Sequence, residues 1–104
     1  MWDGLVVLRS EDALNWTEQP GYILGQPGRE PTDRFKGQHA DVVVDGDRAF
    51  IYYFVHQKNE AEAAADPRWH QRTVIQVAEL VYKDGNLTVD RDADLAFRLH
   101  APSL

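Results

Sequence analysis

The chain alternates short apolar runs with turn-rich polar stretches, and none of its apolar runs has a sustained helical period. The strongest run, Ala49-Phe50-Ile51-Tyr52-Tyr53-Phe54-Val55, is apolar at every position rather than at alternate ones. A strand covered on both faces reads this way, whereas a strand with one wet face alternates. Just before it stand Val42-Val43-Val44 and the turn Asp45-Gly46-Asp47, an Asp-Gly signal for a tight hairpin. Gly37-Gln38-His39-Ala40-Asp41 leads into this hairpin, so a histidine and an aspartate sit at the start of the first strand. The hairpin requires cover above and below, and a chain of 104 residues has little material for both.

The rest of the pattern predicts an all-β fold. Leu5-Val6-Val7-Leu8 and the segment opening at Trp16-Thr17 form a hairpin around a polar turn at residues 10–15. Residues 25–38 are rich in Gly and Pro and read as a loop. Asn59 to Ala65 offers one or two helical turns, ended by Asp66-Pro67 because the residue before a proline disfavours the α region. A long strand follows over 73–82, then a second Asp-Gly turn at Asp84-Gly85, a short strand at 87–89, an acidic turn at 90–94 and a last weak strand at 95–99. Residues 41–89 therefore predict a four-stranded antiparallel meander, with a partial hairpin over 5–24 before it. The meander with its flanks spans 39–99, in one domain covering 1–104.

Strands of a meander alternate in direction, so both tight turns fall at one end and the loops before 41 and over 56–72 fall at the other. Functional side chains concentrate on loops held by a rigid scaffold. This connectivity gathers His39, Asp41, His56, Trp69, His70 and Arg72 at the loop-rich end.

Composition narrows the partners. With 17 acidic and 11 basic residues the net charge is −6, which argues against nucleic acid or an anionic membrane as the main partner. No stretch approaches the roughly 20 apolar residues that span a bilayer. Met1-Trp2-Asp3-Gly4 shows no basic leader pattern, so no signal peptide is visible and a cytoplasmic location is the default expectation. The absence of cysteine removes disulfides, thiolate metal sites and a cysteine nucleophile. Asn15-Trp16-Thr17 and Asn86-Leu87-Thr88 match the glycosylation pattern, with chance as the default reading.

Several local sequences resemble five-bladed β-propeller glycoside hydrolases. Ser10-x-Asp12-x-x-x-Trp16 is similar to a blade-closing hairpin of those enzymes, with Ala13 where that hairpin usually carries glycine. Residues 37–43 with Ala49 to Phe54 resemble the first half of the last blade in families 43 and 117. Arg72 to Leu80, Asp84-Gly85 and Asp90-Arg91-Asp92 resemble its second half in the family 117-like branch. The resemblance covers residues 5–95. It implies a C-terminal fragment of a propeller and a carbohydrate substrate, with His39 at the position of a proposed catalytic acid or beside a central divalent cation. The paired carboxylates of such enzymes come largely from earlier blades, so the chain alone is expected to be inactive.

Each candidate also has a plain reading. His39 titrates near neutral pH and suits general acid work, or it bonds a neighbouring loop. Asp41 orients His39, or it caps the strand backbone. Arg72 clamps a sugar through its planar fork, or it forms a surface ion pair. Trp69 stacks on a sugar ring, or it packs its loop. His39, His56 and His70 lack regular ligand spacing, a weak match for zinc, and no metal ligand or resident cofactor is assigned. Gln76 and Glu79 interrupt an apolar strand as satisfied polar groups or as contacts to a neighbouring blade or a ligand. The open apolar strands also lead to the expectation of a homo-oligomer. The alternatives to an enzyme piece are a self-associating β-domain and a sugar-binding module.

Overall fold

A computed structural model describes residues 4–100. The leader pattern sought at Met1 to Asp3 lies outside the described residues. The fold is all-β, with a two-stranded hairpin, a four-stranded antiparallel sheet and almost no helix. The hairpin pairs β1 (Leu8–Arg9) with β2 (Thr17–Glu18), and a bridge between Leu5 and Ile23 extends it. The sheet contains β3 (Gln38–Asp45), β4 (Arg48–His56), β5 (Thr73–Lys83) and β6 (Asn86–Val89), in the order β3-β4-β5-β6. This is the meander expected from the strand and turn pattern.

The tight turns follow their residue chemistry. Gly46 has φ of 64°, while Asp84 and Gly85 have φ of 53° and 83°. Positive φ at these central positions matches the right-handed twist of the flanking strands, and Gly and Asp tolerate it best. The Ala/Glu segment forms only single 3-10 turns at Glu60–Glu62 and, past Pro67, at Trp69–Gln71.

The two faces of β4 are covered by different parts of the chain. Ile51, Tyr53 and Val55 point to one face and join Leu24 and Ala78 in the core, with Leu5, Ile23, Phe35, Leu80 and Val89 around them. The cover is the irregular segment 19–37. It approaches closely because Gly37 has no side chain, and a Cβ there would lie 2.8 Å from Tyr53 Cδ2. On the opposite face Phe50 is 1 % exposed, and the Phe97 ring stacks on it with centroids 4.2 Å apart. The strand expected at 95–99 is therefore absent. These residues cross the sheet through side chains: Arg48 donates to the Ala96 carbonyl, and His100 meets Asp45 at 2.9 Å. Their backbone pairs with no strand, because Phe97 gains more by covering Phe50 than a weak edge pairing would supply.

A buried polar clamp holds the 19–37 segment down. Asp33 and Arg91 form an ion pair whose side chains are 4 % and 7 % exposed. The Arg91 guanidinium also donates to the carbonyls of Gln26 and Phe35 and lies over the Tyr53 ring at 5.4 Å. The Tyr53 hydroxyl donates to both Asp33 oxygens at 3.2 Å. Burial, and then the Asp33 charge, push the Tyr53 phenol up to about 12. Gln76 reaches the same segment, donating to the Thr32 hydroxyl at 2.9 Å, and Glu79 accepts from Arg48 at 2.7 Å. Both polar interruptions of β5 are thus satisfied.

Candidate functional site

The loop-rich end is built by an irregularity in β3. Gln38 pairs with Phe54 and Asp41 with Tyr52, so two residues of β3 oppose one of β4. Such a bulge re-aims a side chain. His39 lies in it with φ of 48°, a conformation that costs an ordinary residue about 1–2 kcal/mol. Its imidazole stacks on Phe54, with centroids 4.9 Å apart and planes 10° from parallel. Phe54 in turn meets His56 edge-on at 5.5 Å. A histidine–phenylalanine–histidine column thus stands at this end, with His39 exposed at its outer position.

The His56 ring is half-buried, and its Nδ1 is buried without a hydrogen-bond partner. His56 lines an open groove of about 1270 Å³ together with Gln38, Lys58 and Trp69. Trp69 is half-buried and touches His70 edge-on at 5.7 Å.

The other residues expected at this end have committed partners. Arg72 donates to Asp66 from Nε at 3.0 Å, and Lys58 reaches the same carboxylate at 2.9 Å. The hydrogen bonds from Arg72 and Lys58 hold Asp66 well below the usual carboxylate range. The Arg72 fork is therefore occupied within its own loop. Asp41 accepts from the Val42 backbone N–H at 2.9 Å, the strand-capping role. Among the described residues, no three His, Asp or Glu side chains form a metal-binding group, so His39, His56 and His70 are not gathered around a common point.

The structure thus brings His39, Phe54 and His56 into one column and sets His56 beside Trp69 in one groove. Sequence reading passed over Phe54, taken only as a strand residue, and Asp66, taken only as a helix stop. Phe54 had a usable signal: it is two residues from His56, on the same face of a strand. Asp33 and Arg91 carried no local signal, because they lie 58 positions apart.

The remote hairpin has its own order. Asp12 accepts from the backbone N–H groups of Leu14 and Asn15, each at 2.8 Å, and these and the Asn15 side chain hold its carboxyl far below the usual range. Ala13, between them, has φ of 62°, the left-handed region that favours glycine.

No protein-family model matches the chain, and no curated protein matches it.

Proposed function

We propose that this chain is a blade-like unit of a glycoside-hydrolase-type β-propeller. In this reading its loop-rich end supplies one wall of a carbohydrate site, and the chain alone does not hydrolyse its ligand. The observation that carries the reading is His39, held in a bulge, stacked on Phe54 and exposed at the end where Trp69 and His56 line a groove. An aromatic face beside hydrogen-bonding side chains suits a sugar ring, which is apolar on its faces and polar at its rim. Two further features support it. The sheet is one four-stranded meander, the repeat unit of a propeller. Ala13 adopts a glycine-type conformation at the place where the similar blade hairpin has glycine.

Hydrolysis needs two carboxyl groups flanking the scissile bond. The enzymes it resembles take this pair largely from earlier blades; here Asp66 is neutralised by Lys58 and Arg72, Asp41 is bound to backbone, and Glu60, Asp90 and Asp92 are the carboxylates that line the groove. The test is calorimetric titration of the chain with a panel of neutral and acidic oligosaccharides, together with an assay on aryl-glycosides. Binding is expected, weakened about tenfold (~1.4 kcal/mol) by Trp69→Ala, with no turnover. Hydrolysis lost on His39→Ala would overturn the inactive part. No binding across the panel would sink the carbohydrate reading.

A second reading, self-association, rests on a different observation. Val44 is 71 % exposed on β3, an outer strand whose far edge pairs with no strand among the described residues, and Ile75 is 73 % exposed on the opposite face. Open edges with apolar side chains are sites of pairing between chains. Light scattering at micromolar concentration is expected to give a mass above the monomer's, and a strictly monomeric result would remove this reading.

A further inference from the structure

We propose that the groove takes an anionic saccharide, a sugar carrying a carboxylate or a sulfate ester, and that Arg34 is the residue that reads its charge. The inference deepens the carbohydrate reading and rests on it. The chain is acidic as a whole, with 17 acidic against 11 basic residues, yet Arg34, Lys36 and Lys58 line this one groove beside the Arg91 of the buried clamp, with the Lys58 and Arg91 charges already paired to Asp66 and Asp33.

Arg34 is the most informative of the three. Its guanidinium sits over the Phe35 ring at 5.6 Å, and its Nε donates to the Pro31 carbonyl at 3.2 Å. Ring and carbonyl together orient the fork, while its two terminal nitrogens take no partner among the described residues. A pre-oriented planar fork with free N–H groups matches two oxygens of a carboxylate or sulfate. Contacts from Gln57 and Gln76 to Thr32 hold the adjoining loop against the sheet, which limits the ordering cost of binding.

The carboxylates lining the groove are Glu60, Asp90 and Asp92. Asp92 accepts from the Arg29 backbone N–H at 2.7 Å and lies 3.9 Å from Arg29 Nε, and Asp90 accepts from the Asp92 N–H at 3.0 Å. Asp92 is therefore paired with a cation, whereas the N–H bond to Asp90 leaves that carboxylate's charge in place. Trp69 and His56 line the same groove and supply surface for the sugar ring, which separates this site from a bare anion site.

The test is calorimetric titration of the full chain with four probes: an oligogalacturonate, a sulfated galacto-oligosaccharide, a neutral galacto-oligosaccharide of matched length, and inorganic sulfate. At least one charged sugar is expected to bind about tenfold more tightly than the neutral one, the size of one charge-assisted pair, with an advantage that shrinks in salt. Which charged sugar binds identifies the anion. Arg34→Gln is expected to erase that advantage while leaving neutral binding in place, and Arg34→Lys to restore only part of it. Equal binding of charged and neutral sugars, or an advantage that survives Arg34→Gln, overturns the anionic specificity alone. Sulfate bound as tightly as the sulfated sugar overturns the saccharide. Failure of every sugar sinks the carbohydrate reading together with this inference.

Discussion

Two charged clusters use the same chemistry in opposite settings. The Asp33–Arg91 pair lies under the sheet with both side chains at most 7 % exposed, and almost every polar atom around it has a partner. The Asp66–Arg72–Lys58 cluster lies in the 56–72 loop, where the Arg72 and Lys58 side chains are 53 % and 36 % exposed around an Asp66 that is 12 % exposed. Water competes with the second cluster and is excluded from the first. Buried charge is costly unless it is fully paired, so the clamp holds its geometry or fails as a unit. The loop cluster is solvated on its open sides and loses little when a member is removed. The same loop-rich end also holds a left-handed His39 and an unpartnered His56 nitrogen. Packing is thus satisfied at the clamp, while the loop-rich end keeps a strained residue and an unpartnered nitrogen.

The sharpest break of this contrast is Arg91→Ala. It strands the Asp33 charge and releases the carbonyls of Gln26 and Phe35, and it is expected to cost about 3–5 kcal/mol, read from the midpoint of urea unfolding. In a domain this small that is a large share of total stability. A loss below about 1 kcal/mol would place the clamp in the same class as the surface cluster.

Alkali tests the clamp by a second route. Tyr53 titrates near 12 when folded, against 10.0 for a free phenol. Between those values the unfolded chain gives up its proton first, so stability falls as pH rises. The stability is fully present below about pH 10 and is lost as pH rises through about 12. The expected loss is roughly 2–3 kcal/mol across that window. Tyr53→Phe should flatten the pH dependence, measured by chemical unfolding at several alkaline pH values.

At the loop-rich end the expected effects are smaller, and one has the opposite sign. His56→Phe removes a buried nitrogen without a partner while keeping a ring beside Phe54. It is expected to raise stability by about 1 kcal/mol, seen as an upward shift in the melting temperature. Ala13→Gly, in the remote hairpin, relieves the same kind of backbone strain that His39 carries. It is expected to gain up to about 1 kcal/mol, less the entropy that glycine adds to the unfolded chain.

Asp66→Asn should have the smallest effect. Hydrogen exchange is expected to quicken within 56–72 with no shift in the global unfolding midpoint. Because pairing depresses the Asp66 carboxyl below its ordinary 3.8, the cluster is intact above that pH and is lost as pH falls below it. A global shift on this substitution would erase the distinction between the two clusters.

The local pattern determined a good deal of this protein. A continuous apolar run marked β4, a long apolar stretch broken by Gln76 and Glu79 marked β5, the Gly46 and Asp84-Gly85 turns marked the tight connections, and alternation of direction then put both long loops at one end. These features depend on neighbours a few positions apart, and turn chemistry and strand period are local properties. Tertiary structure alone decided what covers each face of β4. Residues 25–38 were legible as a loop, but segment 19–37 was not legible as the lid of the core, because its hold depends on Arg91 meeting Asp33. The tail at 95–99 resembled a weak strand, yet Phe97 stacks on Phe50 instead of pairing its backbone. Arg72 was legible as a candidate fork, and only the folded loop shows it spent on Asp66. His39 was visible from its place before β3, while its bulge, its positive φ and its stack on Phe54 come from a register irregularity that no local pattern specifies. Arg72 and Asp66 lie only six positions apart, in an irregular loop with no period to show their pairing; the physical reason is common to the other three. A strand or turn is selected by the few residues that compose it, whereas a buried ion pair, a cross-sheet ring contact and a bulge are selected by the packing of segments far apart in sequence.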